Sequence, residues 1–253
     1  MHVERGKGKP GRTGFPLAIV GAGVMLAALG MVFLVVPREA TMGDVQRIFY
    51  FHVAFAWVGF LAFLVTGVSG ALYLVWRAQG LDWLGSSSAE VGLVFISAAL
   101  LAGSLWARPT WGTYWTWEPR LTISALQWLV YVAYLMLRGA VDDSERRARF
   151  GAVYGIIASA TVPLSWFAIR WWRTIHPELL VAGRGMALAP RMGWALLAAV
   201  VASTLLYANL LLARVRLESA QDQLESLRGR LRVLGGAPRE GDATEECACP
   251  HTW

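Results

Sequence analysis

Charge is scarce in this chain. Only 16% of its 253 residues are charged, against about a quarter in an ordinary soluble domain. It therefore reads as a membrane protein. Cysteine is scarcer still: Cys247 and Cys249, both in the C-terminal tail, exclude a disulfide framework, so the fold has to rest on helix packing. Histidine occurs four times, at His2, His52, His176 and His251, and the first and last lie in polar tails. No glycine-rich phosphate loop of the P-loop type is present, so any ATP hydrolysis belongs to another chain. The apolar runs do not alternate with polar residues, which excludes a membrane β-barrel. The net charge is +6, but the basic residues sit at the ends of apolar runs. That pattern speaks for topology and lipid contact rather than a nucleic-acid groove.

What is present is apolar sequence in helical lengths. Residues 1–14 form a basic tail with Arg5, Lys7, Lys9 and Arg12. The uncharged run from Phe15 to Val36 exceeds a signal-peptide core of about 7–15 residues and lacks a cleavage pattern, so it is expected to stay as the first span. Further spans of about 20 residues are read at Val53–Trp76, Val91–Ala107, Leu121–Leu137, Phe150–Ile169 and Met192–Ala213. The expectation is an all-α integral membrane protein, six transmembrane helices within residues 15–213.

Six crossings return both termini to one side. Arg138, Arg146, Arg147 and Arg149 share that side with the N-terminal tail and with Arg214 and Arg216. The positive-inside rule makes it cytoplasmic. The outer connections nevertheless keep Arg38, Arg47, Arg108, Arg120, Arg170, Arg173, Arg184 and Arg191. At least half of these are expected only to hydrate helix ends. The rest invite a carboxylate, which guanidinium groups grip in two-pronged geometry. Beyond Ala213, Leu217, Leu224 and Leu231 recur every seven residues, with Ala220, Leu227 and Leu234 in the alternate positions. Residues 214–234 are therefore expected to form a cytoplasmic amphipathic helix. Residues 235–253 read as a disordered tail. Its Cys247, Cys249 and His251 are one residue short of the spacing for covalent haem attachment.

The densest chemistry lies in Trp106 to Thr122, WARPTWGTYWTWEPRLT. Trp106, Trp111, Trp115 and Trp117 fall within a dozen positions, with Tyr114 between them and Arg108, Glu118 and Arg120 on the flanks. Tryptophan has a flat apolar ring and one N–H donor, so it suits a boundary between oil and water. If the segment is helical, Trp111 and Trp115 share a face and form a platform for a flat, largely apolar ligand. A plain interfacial belt has no reason to add Gly112, Glu118 and Arg120 at fixed places.

The run WGTYWTWEPRLT resembles the tryptophan-rich signature of the haem-handling membrane proteins of cytochrome c maturation, and most closely that of the CcmC family. RIFYFHVAFAW (Arg47 to Trp57) and WWRTIHPE (Trp171 to Glu178) agree as well, in the same order along the chain. The likeness runs from about Gly43 to the last apolar run. Three positions depart: Glu118 where the family usually has Asp, Tyr114 where it often has Trp, and Ala54 where a Pro commonly follows the His-Val pair. They bear on the fine geometry around the acid.

The resemblance implies that haem b is held non-covalently at the outer face of a bacterial inner membrane, with His52 and His176 as axial ligands. Trp111, Trp115 and Trp117 would contact the ring, and Gly112 would let backbone come close. Arg120 would meet a propionate or a partner, and Glu118 would orient a neighbouring donor. It also implies delivery to the periplasmic haem chaperone CcmE, within a complex containing the ATPase CcmA and the membrane subunits CcmB and CcmD. The chain itself would be a carrier rather than an enzyme.

The residues alone ask for less, namely a flat anionic ligand whose metal takes two imidazoles. A proton-coupled or small-molecule transporter is the main alternative, but most spans lack a central charge and no pair of broken helices matches. A two-haem b-type electron carrier would need four axial ligands, and the chain offers histidine for one haem. A permease subunit of an ATP-driven transporter fits the count of six spans.

Overall fold

The computed structural model describes residues 14–172, 176, 180–181, 185–186, 188 to 234. The basic tail up to residue 13, Arg173, Arg184 and the segment with Cys247, Cys249 and His251 lie outside them. The helices are α1 (Gly14–Gly30, continued by a π turn Met31–Val35), α2 (Gln46–Trp76), α3 (Gln79–Trp111) and α4 (Pro119–Gly139). They are followed by α5 (Ser144–Ser159), α6 (Thr161–Trp171) and α7 (Pro190–Leu234). A two-residue antiparallel pairing of β1 (Leu180–Val181) with β2 (Gly185–Met186) sits in the connection from α6 to α7. Six helical stretches are long and apolar enough to cross a membrane, α5 and most of α6 forming one of them. The chain is a multi-pass, all-α membrane protein.

The longest difference from the sequence reading is α3, which begins at Gln79 rather than near Val91. Asp82, the Ser86-Ser87-Ser88 run and Glu90 interrupt the apolar pattern there, and Asp82, Ser88 and Glu90 are paired across helices. The Asp82 carboxylate accepts two hydrogen bonds from the Arg138 guanidinium, at 2.6 and 2.9 Å. The Ser88 hydroxyl donates to the Ala62 carbonyl at 2.7 Å and meets the Tyr207 hydroxyl at 2.8 Å. Glu90 is gripped by Arg214 at 2.5 and 3.0 Å. Polar groups paired across helices hold a bundle together where lipid supplies no hydrophobic drive. Arg77, in the left-handed region at φ 53°, turns α2 directly into α3.

Close packing does the rest. A Cβ on Gly70 of α2 would lie 2.7 Å from the Ala152 carbonyl oxygen of α5, so the two backbones touch there. Phe63 and Tyr131 stack face to face at 3.4 Å in a core shared by α2 to α6. A second core near the other end joins Val32, Phe49, Tyr50, Trp106 and Met192. Between α5 and α6 the helix breaks at Ala160, because Pro163 cannot donate to the Ser159 carbonyl.

The chain divides into two compact units at Val215 and Arg216. Helix α7 runs from Pro190 to Leu234. Within the second unit Leu217, Leu224, Leu227 and Leu231 are exposed.

Candidate functional site

The tryptophan segment is not one helix. Pro109 weakens the last turn of α3, the helix stops at Trp111, and Gly112 takes φ +78° with its N–H on the Arg108 carbonyl at 3.0 Å. Only glycine adopts that backbone freely, so Gly112 is explained by the turn itself. Residues 113–118 run without helix until Pro119 opens α4, with Glu118 as its N-cap. Trp111 and Trp115 therefore do not share a helical face. The chain reversal still brings both to one cavity.

That cavity lies among α2, α3, α4 and the connection carrying His176. His52, His176, Trp111, Trp115 and Arg120 all line it, together with Tyr114. Gly112, Trp117 and Glu118 are not in its wall. Trp117 is 79% exposed and packs edge-on against Trp115 at 5.8 Å. Glu118 is half-buried, and its backbone carbonyl accepts the Thr122 N–H at 3.0 Å.

His52 stands in the second turn of α2, and its Nδ1 lies 2.8 Å from the Ala99 carbonyl oxygen of α3. A carbonyl can only accept, so Nδ1 carries the proton and Nε2 keeps its lone pair. A neutral imidazole with a fixed tautomer is the form that ligates a metal. The ring fits there because residue 103 is glycine: a Cβ at Gly103 would come within 2.7 Å of His52 Cε1 and 2.8 Å of Nδ1. Sequence reasoning passed over Ala99 and Gly103. The signal was present, as two small residues four apart on one face of α3.

His176 faces His52 with 6.3 Å between ring centres and 45° between planes. Trp111 lies edge-on to His176 at 6.4 Å and to Trp106 at 5.5 Å. Arg120, in the first turn of α4, donates from one terminal nitrogen to the Ser165 carbonyl at 3.0 Å. Arg120 brings positive charge to the cavity wall, partly offset by the nearby Glu118 carboxylate. Other arginines at this end are occupied locally. Arg38 and Arg47 pair with Asp44 at 2.6 and 3.2 Å. Arg108 bonds the Gly112 carbonyl and covers the Tyr114 ring at 5.6 Å.

Among the described residues no cluster of three or more His, Cys, Asp or Glu is placed to hold a metal ion. A bare transition ion takes three or four protein donors. Two opposed imidazoles suit a metal that arrives with its own equatorial ligands.

Comparison with known proteins gives the family. The sequence profile of the family described as Heme exporter protein C matches residues 10–230. Heme exporter protein C of Bradyrhizobium diazoefficiens is 33% identical over 237 residues, 90% of each chain. Its namesake in Paracoccus denitrificans is 29% identical over 222 residues, covering 85% of this chain and 90% of the relative. That of Escherichia coli K12 is 30% identical over 157 residues, covering 61% and 64%. With six membrane-spanning helices, two facing histidines in an aromatic cavity and a profile match over most of its length, the chain belongs to the haem exporter protein C (CcmC) family.

Proposed function

We propose that this protein holds haem b non-covalently between His52 and His176 and passes it on for attachment to c-type cytochromes. The observation that carries the reading is the separation of the two rings. A metal bound end-on by two imidazoles at about 2.0 Å per bond has ring centres about 6.4 Å apart; those of His52 and His176 are 6.3 Å apart. The flat rings of Trp111 and Trp115 supply apolar wall for the macrocycle. Arg120 offers its guanidinium to a propionate, in the two-pronged manner that carboxylates favour. Gly112 turns the chain beside the cavity, and Glu118 caps the start of α4 through its backbone carbonyl.

Haem is cargo in this scheme. Nε2 of His52 and a ring nitrogen of His176 would coordinate the iron, and release requires both bonds to break. The acceptor is CcmE, a periplasmic haem chaperone, and the partners are the ATPase CcmA with the membrane subunits CcmB and CcmD. This assignment is supported by membership of the family. The tryptophan segment faces the periplasm and both termini the cytoplasm, in the bacterial inner membrane, on the strength of the arginines grouped at Arg138 to Arg149 and at Arg214 and Arg216. Trp117, turned out of the cavity wall, is free to meet the acceptor rather than the ring.

The test is an optical spectrum of the purified protein with added haem, oxidised and then reduced. A Soret band with the sharp visible bands of a low-spin, two-imidazole haem is expected. Haem that stays free, or binds in a high-spin form only, would count against the site.

A further inference from the structure

We propose that haem reaches this cavity sideways, out of the bilayer, through the cleft between the outer halves of α3 and α4. The inference rests on the haem reading above and concerns the direction of loading. Three boundaries of the cavity define the route. The end facing the aqueous phase is covered by Trp111, Tyr114, Trp115 and His176. The back is α2, from Phe49 through His52 and Ala56 to Phe60. On the remaining side α3 presents Leu100 and Ser104, and α4 presents Leu121 and Ser124; all four line the cavity and none is buried.

This side faces lipid. One residue further round α3, Leu101 is 69% exposed and Leu105 is 58% exposed; on α4, Leu126 and Leu129 are each 54% exposed. The cleft ends where the Trp128 indole N–H donates to the Ser97 hydroxyl at 2.8 Å and ties α4 to α3. Above that tie the cleft is lined by two leucines, Leu100 and Leu121, and two small residues, Ser104 and Ser124. The Ser124 hydroxyl is turned back onto the Arg120 carbonyl at 2.9 Å, so it offers the cleft little polarity.

The cavity is deeper than a surface dish. Phe60 lies eight residues along α2 from His52, and Ile96 seven along α3 from Gly103, and both are in its wall. At 1.5 Å per helical residue the apolar part extends about 10–12 Å below the histidine. An aqueous ligand has no use for such a slot. A planar tetrapyrrole dissolved among acyl chains does, because it can slide from lipid into protein without exposing its apolar faces to water. Its polar edge then meets Arg120 and its iron meets His52 at the top of the slot. Haem, as the occupant, has the required shape, apolar faces and two carboxylates.

The experiment follows loading into protein reconstituted in nanodiscs, by growth of the Soret band. Haem is supplied either dissolved in phosphatidylcholine vesicles or carried by serum albumin. Ser104→Trp fills the cleft, and Leu101→Trp places the same bulk on the lipid face of the same helix. The expected result is that Ser104→Trp slows loading from vesicles by about tenfold or more, while Leu101→Trp loads at the parental rate. The haem that does enter Ser104→Trp keeps the two-imidazole spectrum. Should that variant not fold, Ser104→Cys, blocked after purification with a bulky maleimide in a chain with Cys247→Ser and Cys249→Ser, provides the same plug. Parental loading with a plugged cleft overturns the route and leaves the haem site standing. Faster loading from albumin than from vesicles overturns it also. A parental protein that shows no Soret band from either source overturns the haem reading and the route with it.

Discussion

Gly103→Ala is the substitution for which the structure makes the most counter-intuitive statement. In a helix interior the change favours folding, since alanine is better than glycine by about 1 kcal/mol. Here the new methyl would sit 2.7 Å from His52 Cε1 and 2.8 Å from Nδ1. Carbon atoms rest at about 3.5–4.0 Å, so the imidazole must withdraw by about 0.7 Å or more. That movement stretches the 2.8 Å bond from His52 to Ala99 beyond useful length. Nothing then fixes the tautomer or aims Nε2. Supports of this kind are worth about 10- to 100-fold in ligand affinity, which is about 1.4–2.8 kcal/mol. The assay is haem titration followed by the Soret band, beside thermal unfolding of the haem-free protein. Gly103→Ala should bind haem about 10- to 100-fold more weakly while unfolding no earlier than the parent. Gly80→Ala, on the same helix with nothing within 4 Å of its Cβ, should change neither quantity by more than a small amount. Parental haem affinity in Gly103→Ala would show that the His52 to Ala99 contact does not position the ligand.

Three further outcomes follow from other parts of the molecule. Asp82→Asn removes the carboxylate charge that Arg138 meets at 2.6 Å among buried groups, so thermal or denaturant unfolding should report a loss of stability, at most about 3–5 kcal/mol. The spectrum of bound haem should stay unchanged, because the pair lies at the end of α3 away from His52. Cysteines placed at Thr113 and at Ser226, in a chain with Cys247→Ser and Cys249→Ser, should label from opposite sides of the membrane with an impermeant reagent; labelling from one side would reverse the proposed topology. Truncation before Gly235 should leave haem affinity intact, because that tail has no apolar periodicity, and loss of the Soret band on truncation would give it a role in the site.

Much of this architecture was legible in the residues. The apolar runs indicated six helices, and the scarcity of histidine singled out His52 and His176. Hidden were features that depend on partners far along the chain. Asp82 and the serines of α3 looked like a connection because their partners, Arg138 on α4 and Tyr207 on α7, are 56 and 119 positions away from Asp82 and Ser88. Trp111 and Trp115 were expected on one helical face, whereas Pro109 and Gly112 end the helix between them, and the cavity joins them by a turn. Trp117 was grouped with the ring contacts on the resemblance, and it is largely exposed and outside the cavity wall. Gly103 carried no chemistry in the sequence. Its spacing from Ala99 marked a small-residue face, and the assembled helices give that face its meaning as the space His52 occupies.

The central claim is that His52 and His176 bind one iron from opposite faces. It is tested most directly by the optical spectra of haem in His52→Ala and His176→Ala, each recorded with and without added imidazole. Both variants should lose the low-spin two-imidazole bands, and free imidazole should partly restore them by filling the vacant position. Trp115→Ala is the comparison: it should retain haem less firmly, yet whatever remains should keep the two-imidazole bands, since an indole does not bond to iron. A parental spectrum in either histidine variant would remove that residue from the iron and contradict the account.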